Sequence, residues 1–342
     1  MKILAIETSC DETAAAVIEG VAVTKPVRIL SNVVASSEEM HRQTGGIVPE
    51  VASREQLKAI IPVLDQALAE ARISKSEIRN KIDAVAVTVG PGLIGSLLVG
   101  VETARALAYA WNKPLIPVNH LVAHLYANWV GAVPELPAVG LVVSGGHTEL
   151  VLMKDHGKLE LLGRTRDDAA GECFDKCARL LGLPYPGGPA IAAAAAKILK
   201  RSDLVGKQQS PTLPRPLIRE NTYDFSFSGL KTALRLASLA QGKPRELAHE
   251  VQEAIVEVLV ERVVRAVEEF RPRSVLLGGG VAANLRLREE LDHRCQMLDL
   301  RLFIPPKELC TDNAVMIGAA AFYNYSPIPW QKVKANPGLE IV

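Results

Sequence analysis

In the stretch Asn119-His120-Leu121-Val122-Ala123-His124, two imidazoles stand four residues apart. On a helix, positions i and i+4 share a face, so both rings can reach one metal ion. A pair is half a site. The candidate third ligand is Asp312 in Cys310-Thr311-Asp312-Asn313-Ala314, an acidic residue at a predicted helix start in the later part of the chain. Two imidazoles and a carboxylate suit Fe(II) or Zn(II), with positions left for substrate or water. Taken singly, the pair also reads as two hydrogen-bonded histidines in a polar cleft, and Asp312 as a helix N-cap. The metalloprotease version of the pair needs a glutamate directly after the first histidine; Leu121 stands there, which disfavours a metal-dependent peptidase.

A second set of residues suits a phosphate. Ser144-Gly145-Gly146-His147-Thr148, Gly187-Gly188 and Gly278-Gly279-Gly280 lack Cβ atoms where backbone N–H groups would meet anionic oxygens, and a following helix start adds a favourable dipole. The Walker lysine and the spaced dinucleotide fingerprint are both missing, which excludes P-loop and Rossmann readings. Asp11 and Glu12 occupy a polar turn, Asp175 and Asn284 have side chains able to hold a ribose or base, and His41 precedes Gly45-Gly46. Each also has a plain reading as turn, cap or surface residue. Cys173 and Cys177 share a helix face, but with no second pair a zinc cluster is not expected.

The elements that must position these residues are written twice. Residues 2–7 and 14–18 read as two strands around a polar turn, and so do 139–143 and 149–153. Residues 84–89 run into Gly90-Pro91-Gly92 and a helical pattern ending at Trp111; residues 274–277 run into three glycines and a helix starting near Ala282 or Asn284. This order predicts a duplicated α/β fold of two lobes with a ligand cleft. Helices are expected at 55–71, 97–111, 173–181 and 247–270, with Pro62 either kinking the first or marking an earlier start. The expected lobes are 1–115 and 116–325, the second with a Pro- and Gly-rich basic insertion at about 184–245 that includes Lys197, Arg201 and Lys207, followed by a peripheral tail at 326–342.

Composition bounds the class. The 342 residues are 48% apolar and 23% charged, with Lys+Arg 39 against Asp+Glu 38, which is the balance of an ordinary globular protein. Bulk charge therefore does not decide on a nucleic-acid partner. Aromatics at 4% are too sparse for a base-stacking platform, leaving phosphate contacts as the basis of any RNA capture. Five scattered cysteines make no disulfide framework and point to a reducing compartment, the cytoplasm. Glu7 interrupts the apolar start before a signal peptide could form, and no membrane span is expected.

Together these residues carry a family resemblance. Glu7-Thr8-Ser9-Cys10-Asp11-Glu12-Thr13, His41 with Gly45-Gly46-Ile47-Val48-Pro49-Glu50, the His120/His124 pair, Ser144-Gly145-Gly146-His147-Thr148, Ala169-Ala170-Gly171-Glu172 with Phe174-Asp175-Lys176, Tyr185-Pro186-Gly187-Gly188-Pro189, Phe225-Ser226-Phe227-Ser228-Gly229-Leu230-Lys231 and Asp312-Asn313-Ala314 resemble the bacterial TsaD family over residues 1–322. The resemblance implies the actin/Hsp70/sugar-kinase (ASKHA) fold. It also implies transfer of a threonylcarbamoyl group from threonylcarbamoyl-AMP to N6 of adenosine 37 in tRNAs decoding ANN codons, with release of AMP. It places one metal, described as Fe(II) in the family, on His120, His124 and Asp312. The adenylate falls to Val143, Ser144, Gly145, Gly146 and His147, with Asp175, Gly188 and Asn284, and Asp11 is the candidate for accepting the N6 proton. The implied partners are tRNA, a TsaB-like paralogue of the same fold and a TsaE-like ATPase. One departure stands out: relatives carry an aspartate shortly after Pro-Gly-Gly-Pro, where this chain reads Ala190-Ile191-Ala192. A non-catalytic nucleotide-binding regulator is the alternative outside enzymology, disfavoured by the complete set of metal-ligand candidates.

Overall fold

The computed structural model describes residues 1–37, 39–40, 46–197, 212–239 and 243–342; His41, Arg201 and Lys207 lie outside the described residues. The chain forms two compact units. One comprises Met1–Pro134, Asp155–Leu159 and Pro305–Val342, the other Glu135–Lys154 and Glu160–Ile304.

The first unit is built on β1 (Lys2–Glu7), β2 (Glu12–Glu19), β3 (Arg28–Ser36), β4 (Ala84–Gly90) and β5 (Leu115–Asn119), in the order β3-β2-β1-β4-β5. β1 pairs antiparallel with β2, Glu7 opposite Ala14, and parallel with β4, Ile6 opposite Val87. The second unit has β6 (Ala138–Val143), β7 (Thr148–Asp155), β8 (Lys158–Arg164), β9 (Ser274–Gly278) and β10 (Arg301–Phe303) in the order β10-β9-β6-β7-β8. Here β6 pairs antiparallel with β7, Val143 opposite Thr148, and parallel with β9. Read from the opposite edge, the second order repeats the first, so the duplication extends to whole sheets.

The central strands are apolar along their length because both faces are covered. On one face of the first sheet, Leu4, Ile6, Ala15, Val17, Val85 and Val87 join a core with Ile60, Val63 and Leu64 of the Pro49–Glu70 helix and Val101, Ala104 and Ala108 of the Ile94–Trp111 helix. The first of these helices starts earlier than residue 55 and contains Pro62. The other face meets the Ala314–Tyr323 helix, every residue of which is buried. A Cβ at Gly318 would stand 2.7 Å from Ile18 and 3.4 Å from Ala5, so only glycine lets the helix lie this close.

That helix changes the expected boundaries. Residues 120–134 and 305–342 belong to the first unit, so Asp312, expected with the later lobe, sits with the histidines. The tail is not peripheral. Ile328 bridges Leu115, Val333 is in the first unit's core, the Asn336 amide donates to the Val89 carbonyl at 2.7 Å, and Asn119 Nδ2 donates to the Glu340 carbonyl at 2.7 Å. Within the segment expected as an insertion, the Gly187–Ala195 and Ser228–Leu239 helices pack on the Ala170–Leu180 and Pro244–Phe270 helices, and so form part of the second unit's body. No helix among the described residues is long and apolar enough to cross a membrane.

Candidate functional site

The seven-residue helix His120–Tyr126 starts where β5 ends. Asn119 caps it, its Oδ1 accepting the Leu121 amide at 2.9 Å and the Val122 amide at 3.2 Å. The cap sets the first turn and with it the ring of His120. Asp312 precedes the Ala314–Tyr323 helix, whose cap is Asn313 instead, accepting the Met316 amide at 3.1 Å. The capping duty read as the plain alternative for Asp312 is thus met by its neighbour.

Three donor atoms converge. Asp312 Oδ1 lies 3.4 Å from His120 Nε2 and 3.2 Å from His124 Nε2, and the two Nε2 atoms are 3.2 Å apart. Atoms each about 2.0–2.2 Å from a common ion stand roughly 3 Å from one another, so the spacing fits one shared first-row cation. The electrostatics agree. Burial disfavours a charged His120, yet the Asp312 and Glu7 carboxylates outweigh it and raise the imidazole to about 9, while burial lowers its neighbour His124. The carboxylates thus favour positive charge at His120, while burial disfavours it at His124. Position 121 is a buried leucine, so the site lacks the general base of a zincin.

Behind His120 stands a residue to which the sequence analysis gave no role in the site. Glu7, fully buried at the end of β1, has Oε2 3.1 Å from His120 Nδ1, and that oxygen also accepts the Thr88 hydroxyl at 2.5 Å. Its Oε1 accepts the Ser9 amide at 2.5 Å, and Ser9 Oγ lies 3.1 Å from His120 Nδ1. The polar turn between β1 and β2 is held in the same way. Buried Gln56 donates through Nε2 to the carbonyls of Thr8, Cys10 and Glu12 at 3.4, 3.1 and 2.9 Å, and Ser96 Oγ donates to the Cys10 carbonyl at 3.0 Å. Asp11 and Glu12 therefore sit on a braced turn. Burial, then the Asp312 and Asp11 carboxylates, push Glu12 well above the usual carboxylate range.

The nucleotide candidates lie in the second unit. The Ser144 amide donates to the His147 carbonyl at 2.8 Å and Ser144 Oγ accepts the His147 amide at 3.1 Å, closing the β6–β7 turn. The Ala170–Leu180 helix begins against it: the Gly171 amide donates to the Ser144 carbonyl at 3.2 Å, and the Ala170 amide to Thr148 Oγ1 at 2.9 Å. One turn along that helix, the Asp175 carboxylate accepts the Gly187 amide at 2.7 Å, which ties in the next helix start; burial raises its pKa. The glycines are of two kinds. Gly279, at φ +91°, would put a Cβ 2.3 Å from the Val143 carbonyl oxygen, whereas a Cβ at Gly145, Gly146 or Gly188 would meet nothing within 4 Å. The first kind permits packing; the second borders open space. Asn284 caps the Leu285–Met297 helix through the Leu287 amide at 3.1 Å and donates one Nδ2 hydrogen to Gln252 at 3.1 Å, keeping the other. Ile191 is buried in the Gly187–Ala195 helix, and Ala190 and Ala192 flank it without polar atoms. The structure thus groups the adenylate candidates in one unit and the metal candidates, with Asp11, in the other.

Comparison with known proteins follows this geometry. The family described as "TsaD: tRNA N6-adenosine threonylcarbamoyltransferase" matches residues 28–319. A protein of that name from Moorella thermoacetica is 50% identical over 331 residues, covering 94% of this chain and 92% of that protein. Another from Geobacillus thermodenitrificans is 48% identical over 356 residues, with 99% and 97% covered. Among solved structures, HypF from T. kodakarensis matches with a TM-score of 0.63 at 16% identity, over 95% of this chain and 48% of that one. This likeness bears on fold alone and agrees with the ASKHA class expected from the repeated sheets. With a family match over most of its length and relatives at half identity, the chain belongs to the TsaD family of tRNA N6-adenosine threonylcarbamoyltransferases.

Proposed function

We propose that this protein transfers the threonylcarbamoyl group of threonylcarbamoyl-AMP to N6 of adenosine 37 in tRNAs reading ANN codons, releasing AMP. Family membership supplies the reaction. The observation that ties it to residues is the meeting of His120 Nε2, His124 Nε2 and Asp312 Oδ1 within 3.4 Å of one another.

The donor is a mixed carboxylic–phosphoric anhydride and is already activated, so no covalent nucleophile is required of the protein. The N6 lone pair forms the new C–N bond at the carbamoyl carbonyl, the C–O bond to phosphate breaks, and AMP leaves with that electron pair. Gly145 and Gly146, together with Val143, Ser144, His147, Asp175, Gly188 and Asn284, hold the adenylate and steady the charge left on its phosphate. Asp11, on the turn braced by Gln56, takes the N6 proton at its carboxylate. His120, His124 and Asp312 would hold a divalent ion, Fe(II) or else Zn(II), which when bound supplies Lewis-acid polarisation of the threonylcarbamoyl oxygen.

The tRNA is captured through its phosphates. Lys231 and Arg235, exposed and one turn apart on a helix with no acidic residue in its sequence, support this, as does exposed Lys197. The TsaB-like paralogue docks on the first unit, where Leu57 and Ile61 of one helix and Ile94 and Leu98 of its packed neighbour are 45–64% exposed. The TsaE-like ATPase completes the set, and the five free cysteines support a cytoplasmic setting. Incubation with preformed threonylcarbamoyl-AMP and unmodified tRNA, with and without paralogue and ATPase, tests the reading. Modified adenosine in the digested tRNA and equimolar AMP are expected; no modified nucleoside under any combination would refute it.

A further inference from the structure

We infer that Glu7 is a positioning residue for the metal centre: by taking the Nδ1 proton of His120 it fixes the tautomer that presents Nε2 toward His124 and Asp312. The inference rests on the metal reading above and concerns a residue outside the ligand set. A carboxylate accepts and does not donate when ionised, so a ring nitrogen 3.1 Å from Glu7 Oε2 carries the hydrogen, and the lone pair is left on Nε2. Glu7 is itself immobilised. The Thr88 hydroxyl from β4 and the Ser9 amide from the following turn hold one oxygen each, and none of Glu7, Thr88 and Ser9 is more than 2% exposed. Parallel pairing of β1 with β4 sets the position of Thr88 relative to Glu7, so the sheet's register reaches the imidazole through two hydrogen bonds.

The second histidine is built differently. His124 Nδ1 is buried and has no hydrogen-bond partner among the described residues. No carboxylate holds that ring from behind among the described residues; its one carboxylate neighbour is Asp312, on the ligand side at 3.2 Å from Nε2. The two imidazoles are therefore unequal: His120 is pre-set from behind, His124 is not.

Co(II) is the probe, titrated into apo protein against a chelating dye, with the ligand-field absorption of the Co(II) complex as a second readout. Glu7→Gln is expected to weaken Co(II) binding by roughly 10–100-fold and to change the absorption band, while circular dichroism and melting of the apo protein stay unchanged. Thr88→Val, which loosens Glu7 without removing it, is expected to weaken binding by a smaller factor and keep the metal-free fold if Glu7→Gln does not fold. Affinity and spectrum equal to wild type in Glu7→Gln, or in Thr88→Val where Glu7→Gln does not fold, would overturn the inference. Failure of the wild-type protein to bind Co(II) would instead sink the metal reading itself.

Discussion

Asp167 holds Ser228 twice, accepting its amide at 3.2 Å and its hydroxyl at 2.8 Å, and so caps the Ser228–Leu239 helix from a distant part of the chain. The same carboxylate accepts the Phe227 amide at 2.8 Å and the Ser226 hydroxyl at 2.5 Å. Asp167→Ala should cost about 1–2 kcal/mol in urea unfolding. Partial burial raises the Asp167 pKa, but the Ser226, Phe227 and Ser228 donors outweigh it and the net shift is downward. The stabilisation is therefore present above the unfolded carboxylate value near ~4 and is lost as pH falls through the depressed folded value. Denaturation curves of wild type and variant should converge in strong acid.

Removing a metal ligand should empty the centre without unfolding the protein. His124→Ala and Asp312→Ala each leave two donors, and metal affinity should fall by at least about 10-fold. Elemental analysis of anaerobically purified protein reads the metal content. Transfer from preformed adenylate should fall with it and return when a chelator-stripped wild type is reloaded.

Gln56 braces the first turn through three carbonyls. Gln56→Ala strands those acceptors in a buried setting and should cost about 1–3 kcal/mol, read by thermal melting. Transfer should fall by more than the unfolded fraction explains, because Asp11 and Glu12 ride on that turn.

The two kinds of glycine should separate stability from binding. Gly279→Ala forces a Cβ into the Val143 carbonyl and should lower the melting temperature. Gly145→Ala meets no protein atom within 4 Å, so the melting temperature should hold while AMP affinity, measured by titration calorimetry, drops because the methyl occupies the ligand's approach.

If the exposed apolar face of the first unit receives the paralogue, Leu57→Asp and Leu98→Asp should each weaken the heterodimer by about 10-fold or more in analytical ultracentrifugation. The single protein's melting temperature should change little, since both side chains are largely exposed.

The legible parts of the fold were those whose cause is local. β1, β4, β6 and β9 are continuous apolar runs ended by polar or glycine turns, and the i, i+4 histidines announce their shared face. β3 and β8 are half-exposed edge strands with no such run, so the sheets' outer members were missed. The grouping of Asp312 was unreadable for another reason: the path of the Ala314–Tyr323 helix is decided by how closely Gly318 lets it approach Ile18 and Ala5. Glu7 was visible as an interruption in an apolar strand. Its purpose appears only once Thr88, Ser9 and His120 surround it.

The return of Pro305–Val342 to the first unit gives the centre an order of construction. As the ribosome extends the polypeptide, both imidazoles emerge well before the carboxylate. A nascent chain halted before Asp312 has all five strands of the first unit's sheet but only two of the three candidate ligands.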